Sequence, residues 1–242
     1  MKKFIVVLVG LVITTAAYSD ILLTGPGTFG SENFNSMATS GTANAWANNS
    51  TIANWYAGPA TYRASSGTDN TGALYSYGTN DLTDRAIGAL SSGSTSPVFG
   101  VVLRNNSGGT LNLADIQLSF FGEQWRQTAN SQSLVATYRI SASAFTEIVT
   151  GTWTAQANLN FASLQTGTAG PIDGNAVANR TQFTDVAVDS TGTLADGEYL
   201  AIRWQKSGTT APGLGIDDFS VTVVPEPSSL ALMGLAAIGL TL

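Results

Sequence analysis

The 242-residue sequence contains no cysteine and no histidine. Without cysteine there is no disulfide framework and no thiolate metal site. Without histidine, a Ser-His-Asp or Cys-His catalytic apparatus is excluded, because no imidazole is available as the base. The usual zinc sites are excluded too, since they depend on His or Cys ligands. Any catalysis by this chain would therefore have to rely on carboxylates.

Charged residues are also scarce, at 11% of the chain, which is less than half of the roughly 25% usual in globular proteins. Ten Lys and Arg against 16 Asp and Glu give a net charge of −6. An acidic chain without a basic patch is repelled by nucleic acid and by anionic membrane surfaces. We therefore expect no nucleic-acid partner.

The N-terminus has the pattern of a secretory signal peptide. Lys2 and Lys3 precede an apolar run, and Ala17 and Ser19 supply the small residues of a cleavage site. This pattern predicts a signal helix over residues 1–19 and export of the protein.

The long middle of the chain, residues 20–223, shows no sustained helical i, i+3, i+4, i+7 pattern. Short alternating or β-rich runs recur instead, separated by Gly, Asn, Ser and Thr. About eight to ten such strands predict one all-β domain, a two-sheet antiparallel sandwich of the jelly-roll type. The predicted strands are 97–103, 116–121, 133–140, 147–153, 182–188, 198–205 and 214–224.

The C-terminus breaks with this pattern. Pro225 and Pro227 end the last predicted strand, because neither can donate to a sheet ladder. Glu226 lies between them, and two serines lead into the uncharged apolar residues 230–242. A helix over that run would span roughly 20 Å, which is short of the ~30 Å hydrocarbon core of a membrane.

The segment over residues 224–242 resembles the PEP-CTERM sorting signal. This resemblance implies recognition by an exosortase-type sorting enzyme, transient membrane association through the C-terminal helix, and release to the cell surface or the extracellular matrix of a Gram-negative bacterium. The family's signal normally ends in a cluster of Arg or Lys that holds the helix end on the cytoplasmic side. No such cluster precedes Leu242, so the tail is either a variant or truncated.

Three dense segments inside the middle domain are candidates for a functional site. They are Gly122-Glu123-Gln124-Trp125-Arg126, Ile172-Asp173-Gly174-Asn175 and Gly215-Ile216-Asp217-Asp218-Phe219. In this order they resemble a domain that recurs in PEP-CTERM and other secreted bacterial proteins, for which no activity is established. Its general shape is similar to the lectin-like and MAM-like jelly rolls of extracellular proteins.

The charged residues of these segments allow two interpretations. Glu123 and Arg126 could pair with Arg85 and Asp84 across the sheet. A bidentate Arg–carboxylate network stabilises a fold as readily as it binds a ligand. Because buried charges without partners are costly, the sequence favours paired side chains over a binding site.

Glu32, Asp217 and Asp218 are candidate ligands of a calcium site. Alternation places the two aspartates on opposite faces of the last strand, so one of them is partly buried. Ca²⁺ takes six to eight oxygen ligands and would satisfy such a carboxylate. Carbohydrate-binding jelly rolls, which this domain resembles, hold calcium between the chain ends in this way. The alternative is that these carboxylates are paired or solvated.

The aromatic residues allow two interpretations as well. Trp46, Trp55 and Tyr56 lie in the polar, loop-like residues 37–71, where they could form an exposed platform that stacks on sugar rings. Trp125 belongs to a charged segment and is a further candidate. The alternative is that the tryptophans are core residues, since a Trp buries a large area wherever it can.

Three functions follow from these patterns. The first is a non-enzymatic structural or adhesive role in the cell envelope or the extracellular polymeric matrix. The second is a carbohydrate-binding module, with or without calcium. The third is a glycan hydrolase that uses Glu123 with Asp217 or Asp218 as its two carboxylates. The sequence has no nucleophile elbow, phosphate-binding loop or dinucleotide fingerprint, and it therefore favours a protein that is not an enzyme.

Overall fold

The computed structural model of the protein describes residues 20–79, 83–206, 208–209 and 212–225. The predicted signal helix, the predicted C-terminal helix, and Glu226 and Pro227 lie outside the described residues. Within those residues there is no α-helix, and β-strands dominate. The predicted all-β fold is confirmed.

Eighteen strands and three short 3-10 helices make up the described part of the chain. The strands are β1 (Ile21–Leu23), β2 (Gly27–Glu32), β3 (Asn44–Ala45), β4 (Trp55–Ala57), β5 (Thr61–Ser65), β6 (Ala73–Tyr77), β7 (Ala86–Leu90), β8 (Val98–Asn105), β9 (Leu111–Asn112), β10 (Ile116–Gln127), β11 (Ser133–Ser141), β12 (Thr154–Ala155), β13 (Phe161–Ala162), β14 (Gly170–Pro171), β15 (Arg180–Ala187), β16 (Thr193–Leu194), β17 (Tyr199–Lys206) and β18 (Gly213–Val223). The 3-10 helices are Leu113–Asp115, Ala157–Leu159 and Val177–Asn179.

The strands form two large sheets and one small pair. The smaller sheet has the order β1-β8-β17-β11-β12, with β4 beside β8 and β13 beside β11. The larger sheet has the order β14-β10-β18-β7-β6-β5-β3, with β15 beside β10 and β2 beside β18, and β9 pairs with β16 separately. The prediction of a wholly antiparallel sandwich is wrong at two places, because β1 runs parallel to β8 and β5 runs parallel to β6.

One predicted strand, residues 147–153, is a loop. The Glu147 carboxylate accepts hydrogen bonds from the backbone N–H groups two and three residues further on. Arg203 Nη1 donates to the carbonyls of Ile148 at 2.6 Å and Val149 at 2.8 Å. These side chains satisfy backbone groups that a strand would have paired in a sheet. An apolar run in the sequence does not reveal such local capping.

The main core lies between the two large sheets and is built from alternate residues of their strands. Ile116, Leu118 and Phe120 of β10 face inward, as their alternation with polar residues predicts. The Trp204 ring on β17 contacts residues of the other sheet. Its centroid lies 5.4 Å from that of the Phe120 ring and 6.4 Å from that of the Phe219 ring. Large buried rings of this kind supply much of the apolar area that holds two sheets together.

Candidate functional site

A second apolar cluster lies on the face of the larger sheet that turns away from the main core, which we call the outer face. Its buried members are Tyr75, Tyr77, Ala86, Leu90 and Trp125. The Tyr77 ring stacks between the rings of Tyr75 and Trp125, at centroid distances of 4.7 and 6.2 Å with interplanar angles of 6°. A sandwich often leaves such a face to water. Here it carries a core of its own.

Loops cover this outer face at Trp125. The backbone N–H of Ile172 donates to the Trp125 carbonyl at 3.0 Å. A Cβ at Gly174 would collide with the Trp125 ring, and one at Gly67 would collide with the Trp125 carbonyl. Only glycine allows the two loops this close, and the result is that Trp125 is fully buried on a face that alternation alone would leave exposed.

Two carboxylates are buried beside this cluster. Phe121 pairs with Asp217 and Glu123 pairs with Gly215, so the two acidic side chains lie on one face of adjacent strands. Glu123 is 1% exposed and accepts a hydrogen bond from Trp125 Nε1 at 2.9 Å. Asp217 is 3% exposed and accepts one from the N–H of Asp218 at 2.7 Å. Burial raises the pKa of Glu123 to about 8 and that of Asp217 to about 9. Repulsion from Asp84 adds to the effect at Glu123, and repulsion from Glu123 adds to the effect at Asp217.

The predicted pairing of Glu123 with Arg85 and of Arg126 with Asp84 is not found among the described residues. Arg85 donates instead to the Oγ of Ser76 at 2.9 Å and to the Ser76 carbonyl. Arg126 donates to backbone carbonyls of the loop that covers the outer face. Within the described part of the chain, the ion pair within 4 Å is that of Arg63 with Asp69. The sheet register separates the arginines from the acids although they are neighbours in sequence.

The predicted exposed aromatic platform is also wrong. Trp46, Trp55 and Tyr56 are all buried, and Trp46 and Trp55 belong to the main core. The Trp55 ring lies edge-on to Phe34 at 4.7 Å and to Phe219 at 5.2 Å. Residues 37–71 have the composition of an exposed loop, but their aromatic side chains are buried. Rings of this size gain more free energy from burial than smaller side chains do.

The three residues considered for calcium are divided between two places. Glu32 pairs with Phe219 across β2 and β18, and Glu32 and Asp218 line an open cavity of about 440 Å³ together with Asn33. Asp217 does not line this cavity; it lies on the outer face beside Glu123. Residues 20–225, as far as they are described, hold no cluster of three or more Asp, Glu, His or Cys side chains around a common point.

The cavity at Glu32 and Asp218 nevertheless has the oxygen-rich lining that suits a hard cation. Asp218 adopts a left-handed backbone conformation with φ of 48°, at a register shift in β18. Burial raises the pKa of Glu32, although the carboxylate accepts a hydrogen bond from the Phe34 N–H at 2.7 Å. Two carboxylates with a backbone and hydroxyl lining could hold Ca²⁺, which would favour their ionised forms.

The carboxylates considered for glycan hydrolysis do come close together. Glu123 and Asp217 are diagonal neighbours on adjacent strands, a geometry with Cβ atoms about 7 Å apart. A glycosidase needs one carboxyl as acid and the other as an ionised nucleophile or base. With pKa values of about 8 and 9, both groups carry protons at neutral pH. Neither residue lines a cavity described here, and this pair lacks the access that a polysaccharide requires.

A further cavity was not foreseen from the sequence. It has a volume of about 390 Å³ and lies where β7 and β10 end, with Arg126 and Ser91 in its lining. Arg126 was a candidate ligand-binding residue because of its charge. Ser91 carries no signal of function in sequence, since the chain is rich in serine and threonine throughout.

Comparison with known families finds one match, at the C-terminus. Residues 223–242 match the family described as the PEP-CTERM protein-sorting motif. The chain carries a PEP-CTERM sorting motif. The motif follows β18 directly, and it indicates an exported protein that is sorted to the cell surface after processing by an exosortase. In the part of the chain that the structure describes, no helix has the length and apolar character needed to cross a membrane.

The search of curated proteins gave no match. Among solved structures, the chain is similar to the K3 cleaved adhesin domain of Lys-gingipain from Porphyromonas gingivalis W83, with 15% identity and a TM-score of 0.37 over 70% of this chain and 91% of that one. It is also similar to TmCBM61 in complex with β-1,4-galactotriose, with 9% identity and a TM-score of 0.27 over 60% and 74% of the two chains. A third structure is CBM28, a carbohydrate-binding module specific for non-crystalline cellulose, with 11% identity and a TM-score of 0.31 over 78% and 99%. Similarity at this level assigns no ligand.

Proposed function

We propose that this PEP-CTERM protein is a non-enzymatic structural or adhesive component of the cell envelope or of the extracellular polymeric matrix. The single observation that carries this proposal is the sorting motif over residues 223–242, which follows a compact β-sandwich without a linker. The sandwich is the cargo that the motif delivers to the surface. The burial and protonation of Glu123 and Asp217 support a role other than hydrolysis.

Substitution in the motif tests the sorting step. In the producing bacterium, Glu226→Ala should accumulate as an unprocessed chain of higher mass, and the amount on the cell surface should fall. Asp196→Asn, which changes an exposed carboxylate outside the motif, serves as the control and should be processed as the wild type. Immunoblots of the cell and surface fractions measure both quantities. Normal processing and release of Glu226→Ala would contradict the proposal.

Carbohydrate binding is the second candidate function. The observation that favours it is the cavity of about 390 Å³ whose lining includes Arg126, Ser91 and Thr128. Pockets for small ligands have volumes of about 300–1,000 Å³, so this cavity matches a ligand no larger than a few sugar units. Hydroxyl and guanidinium groups complement a ligand that is rich in oxygen.

A glycan array probed with the purified chain tests this second function. We expect binding to a restricted set of extracellular polysaccharide fragments. Arrays probed in Ca²⁺ and in EDTA separate direct recognition from a requirement for the metal. The absence of binding under both conditions would remove carbohydrate recognition and leave the structural role.

Calcium at Glu32 and Asp218 is a separate proposal, and it concerns stability. Because Ca²⁺ would bind the folded state through ionised carboxylates, we expect millimolar Ca²⁺ to raise the melting temperature relative to EDTA. Asp218→Asn should lose this response. A melting temperature that is the same in Ca²⁺ and in EDTA would contradict a calcium site.

A further inference from the structure

The cavity that contains Arg126 is formed by segments distant in sequence. Leu90 and Ser91 come from the end of β7, Arg126 from the end of β10, and Asn70 from the loop over the outer face. Its wall therefore combines apolar side chains with a guanidinium, several hydroxyls and an amide. This composition is typical of sites that orient a small polar ligand.

Arg126 is nine-tenths buried, with 9% of its surface exposed. Its Nη1 donates to the carbonyls of Gly67 at 2.9 Å and Thr68 at 3.4 Å. Within the described part of the chain, no carboxylate lies within 4 Å of the guanidinium, and Nε and Nη2 have no hydrogen-bond acceptor. A buried cation without a counter-charge is costly, so the unused edge of this guanidinium is suited to an anionic partner.

Ser91 provides a second, independent observation. Its side chain is 1% exposed, and its Oγ has no hydrogen-bond partner among the described residues. Buried hydroxyl groups are nearly always satisfied. Because Ser91 lines the same cavity as Arg126, an oxygen-bearing ligand in that cavity would satisfy both groups at once.

We propose that the cavity around Arg126 and Ser91 binds the carboxylate of an acidic sugar residue, such as the uronic acid of an extracellular polysaccharide. A planar guanidinium with one free edge matches a carboxylate in bidentate geometry. The Ser91 hydroxyl can donate to the carboxylate or to a ring hydroxyl, and Leu90 offers an apolar surface to the sugar ring. This proposal rests on carbohydrate binding, the second function proposed above, and names its ligand class.

The net charge of −6 opposes the approach of an acidic polymer. Distant charges contribute little to this opposition, because interactions between exposed charges are largely screened beyond about 8 Å at physiological ionic strength. Asp69 and Arg126 both lie close enough to Tyr75 to shift its pKa, in opposite directions. The charge of Asp69, however, is compensated by its ion pair with Arg63. Among the described residues that line the cavity, Arg126 is the charged one.

Calorimetric titration of the purified full-length chain tests the proposal. The probes are trigalacturonate, neutral β-1,4-galactotriose and sodium sulfate, each at the same ionic strength. We expect trigalacturonate to bind, and the two others to bind at least about tenfold more weakly, because the neutral sugar lacks the charge and sulfate lacks the sugar.

Three variants locate the binding. Arg126→Lys keeps the charge but loses the bidentate fork, and it should weaken trigalacturonate binding by about tenfold or more. Arg139→Lys, on β11 of the other sheet, is the matched control and should bind as the wild type. Ser91→Ala removes a hydroxyl that has no protein partner, so it should weaken binding while the melting temperature stays the same or rises.

The outcomes separate this proposal from the function on which it rests. Equal binding of the acidic and the neutral trisaccharide would overturn the acidic-sugar proposal and leave carbohydrate binding intact. Sulfate binding without saccharide binding, or no binding of any probe, would overturn it as well. Trigalacturonate binding that is unchanged in both Arg126→Lys and Ser91→Ala would place the acidic-sugar site elsewhere and overturn the assignment of this cavity.

Discussion

The two faces of the larger sheet differ in how they are buried. The inner face packs its apolar side chains against the smaller sheet, and Phe120, Phe219 and Trp204 meet there. The outer face is buried as well, but beneath loops, and it encloses Glu123, Asp217 and Arg126 together with aromatic rings.

A second sheet and a set of loops differ in the buried polar groups that they can accommodate. Packing of one sheet on another disfavours polar groups that lack partners, although the buried Trp55 Nε1 of the main core has none among the described residues. A loop has free backbone groups, and the carbonyls of Gly67 and Thr68 accept hydrogen bonds from Arg126 on the outer face. The outer face can therefore keep charged side chains and unpaired hydroxyls in place. For this reason we place the candidate binding cavity there.

The largest effect should come from the inner face. Trp204→Ala removes a fully buried ring and its hydrogen bond from Nε1 to the Leu159 carbonyl at 3.0 Å. We expect a loss of about 3–5 kcal/mol in the free energy of unfolding, from lost burial and the cavity left behind. Urea denaturation measures it. Val177→Ala, at a side chain that is 83% exposed, should change the value by less than about 0.5 kcal/mol. A Trp204→Ala protein that loses no more than this control would show that the inner face is not the main core.

An intermediate effect, dependent on pH, should come from the outer face. The pKa of Glu123 is about 8 in the folded protein, against about 4.3 in an unfolded chain. Below pH 4 both states hold the proton, but between pH 4 and 8 only the unfolded state releases it, so stability falls as the pH rises. Glu123→Gln removes this loss and can still accept from Trp125. In EDTA at pH 8 it should gain about 1–3 kcal/mol, and at pH 5 much less.

Denaturation curves across this pH range, with Asp196→Asn at an exposed carboxylate as the control, test that expectation. A Glu123→Gln protein with the same pH slope as the wild type would show that the carboxyl is ionised in the folded state. The outer face would then contain a cation partner for it.

The smallest effect should distinguish two stacked tyrosines of the outer face. Tyr75 donates its hydroxyl to the Thr71 carbonyl at 2.6 Å, whereas the buried Tyr77 hydroxyl has no partner among the described residues. Tyr75→Phe should therefore cost about 1 kcal/mol, and Tyr77→Phe should be neutral or stabilising by up to about 1 kcal/mol. Thermal denaturation of both variants provides the comparison. Equal losses would mean that the Tyr77 hydroxyl is hydrogen-bonded.

Local pattern in the sequence predicted a large part of this architecture. The alternation of Ile116, Leu118 and Phe120 assigned the inner face of β10 correctly, because side-chain direction in a strand follows from its period of two. It did not show that β10 continues to Gln127, since buried polar residues in its second half look like the start of a loop.

The candidate sites were predicted less well, for a reason visible in the same residues. Glu123 and Arg126 are three positions apart, yet one lies beside Asp217 and the other beside the loop at Gly67. Trp46 and Trp55 lie in a polar stretch, yet they are buried. Which side chains meet depends on register and on loops that return over the sheet, and neither has a local signature.

The sequence by itself determined the all-β class, the inner face of the strands and the sorting motif at the C-terminus, because strand period and proline chemistry act within a few residues. Only the tertiary structure decided that the outer face is covered, that Glu123 and Asp217 share it, and that Arg126 and Ser91 line one cavity. Those groups come from segments tens of residues apart, and long-range packing alone brings them together.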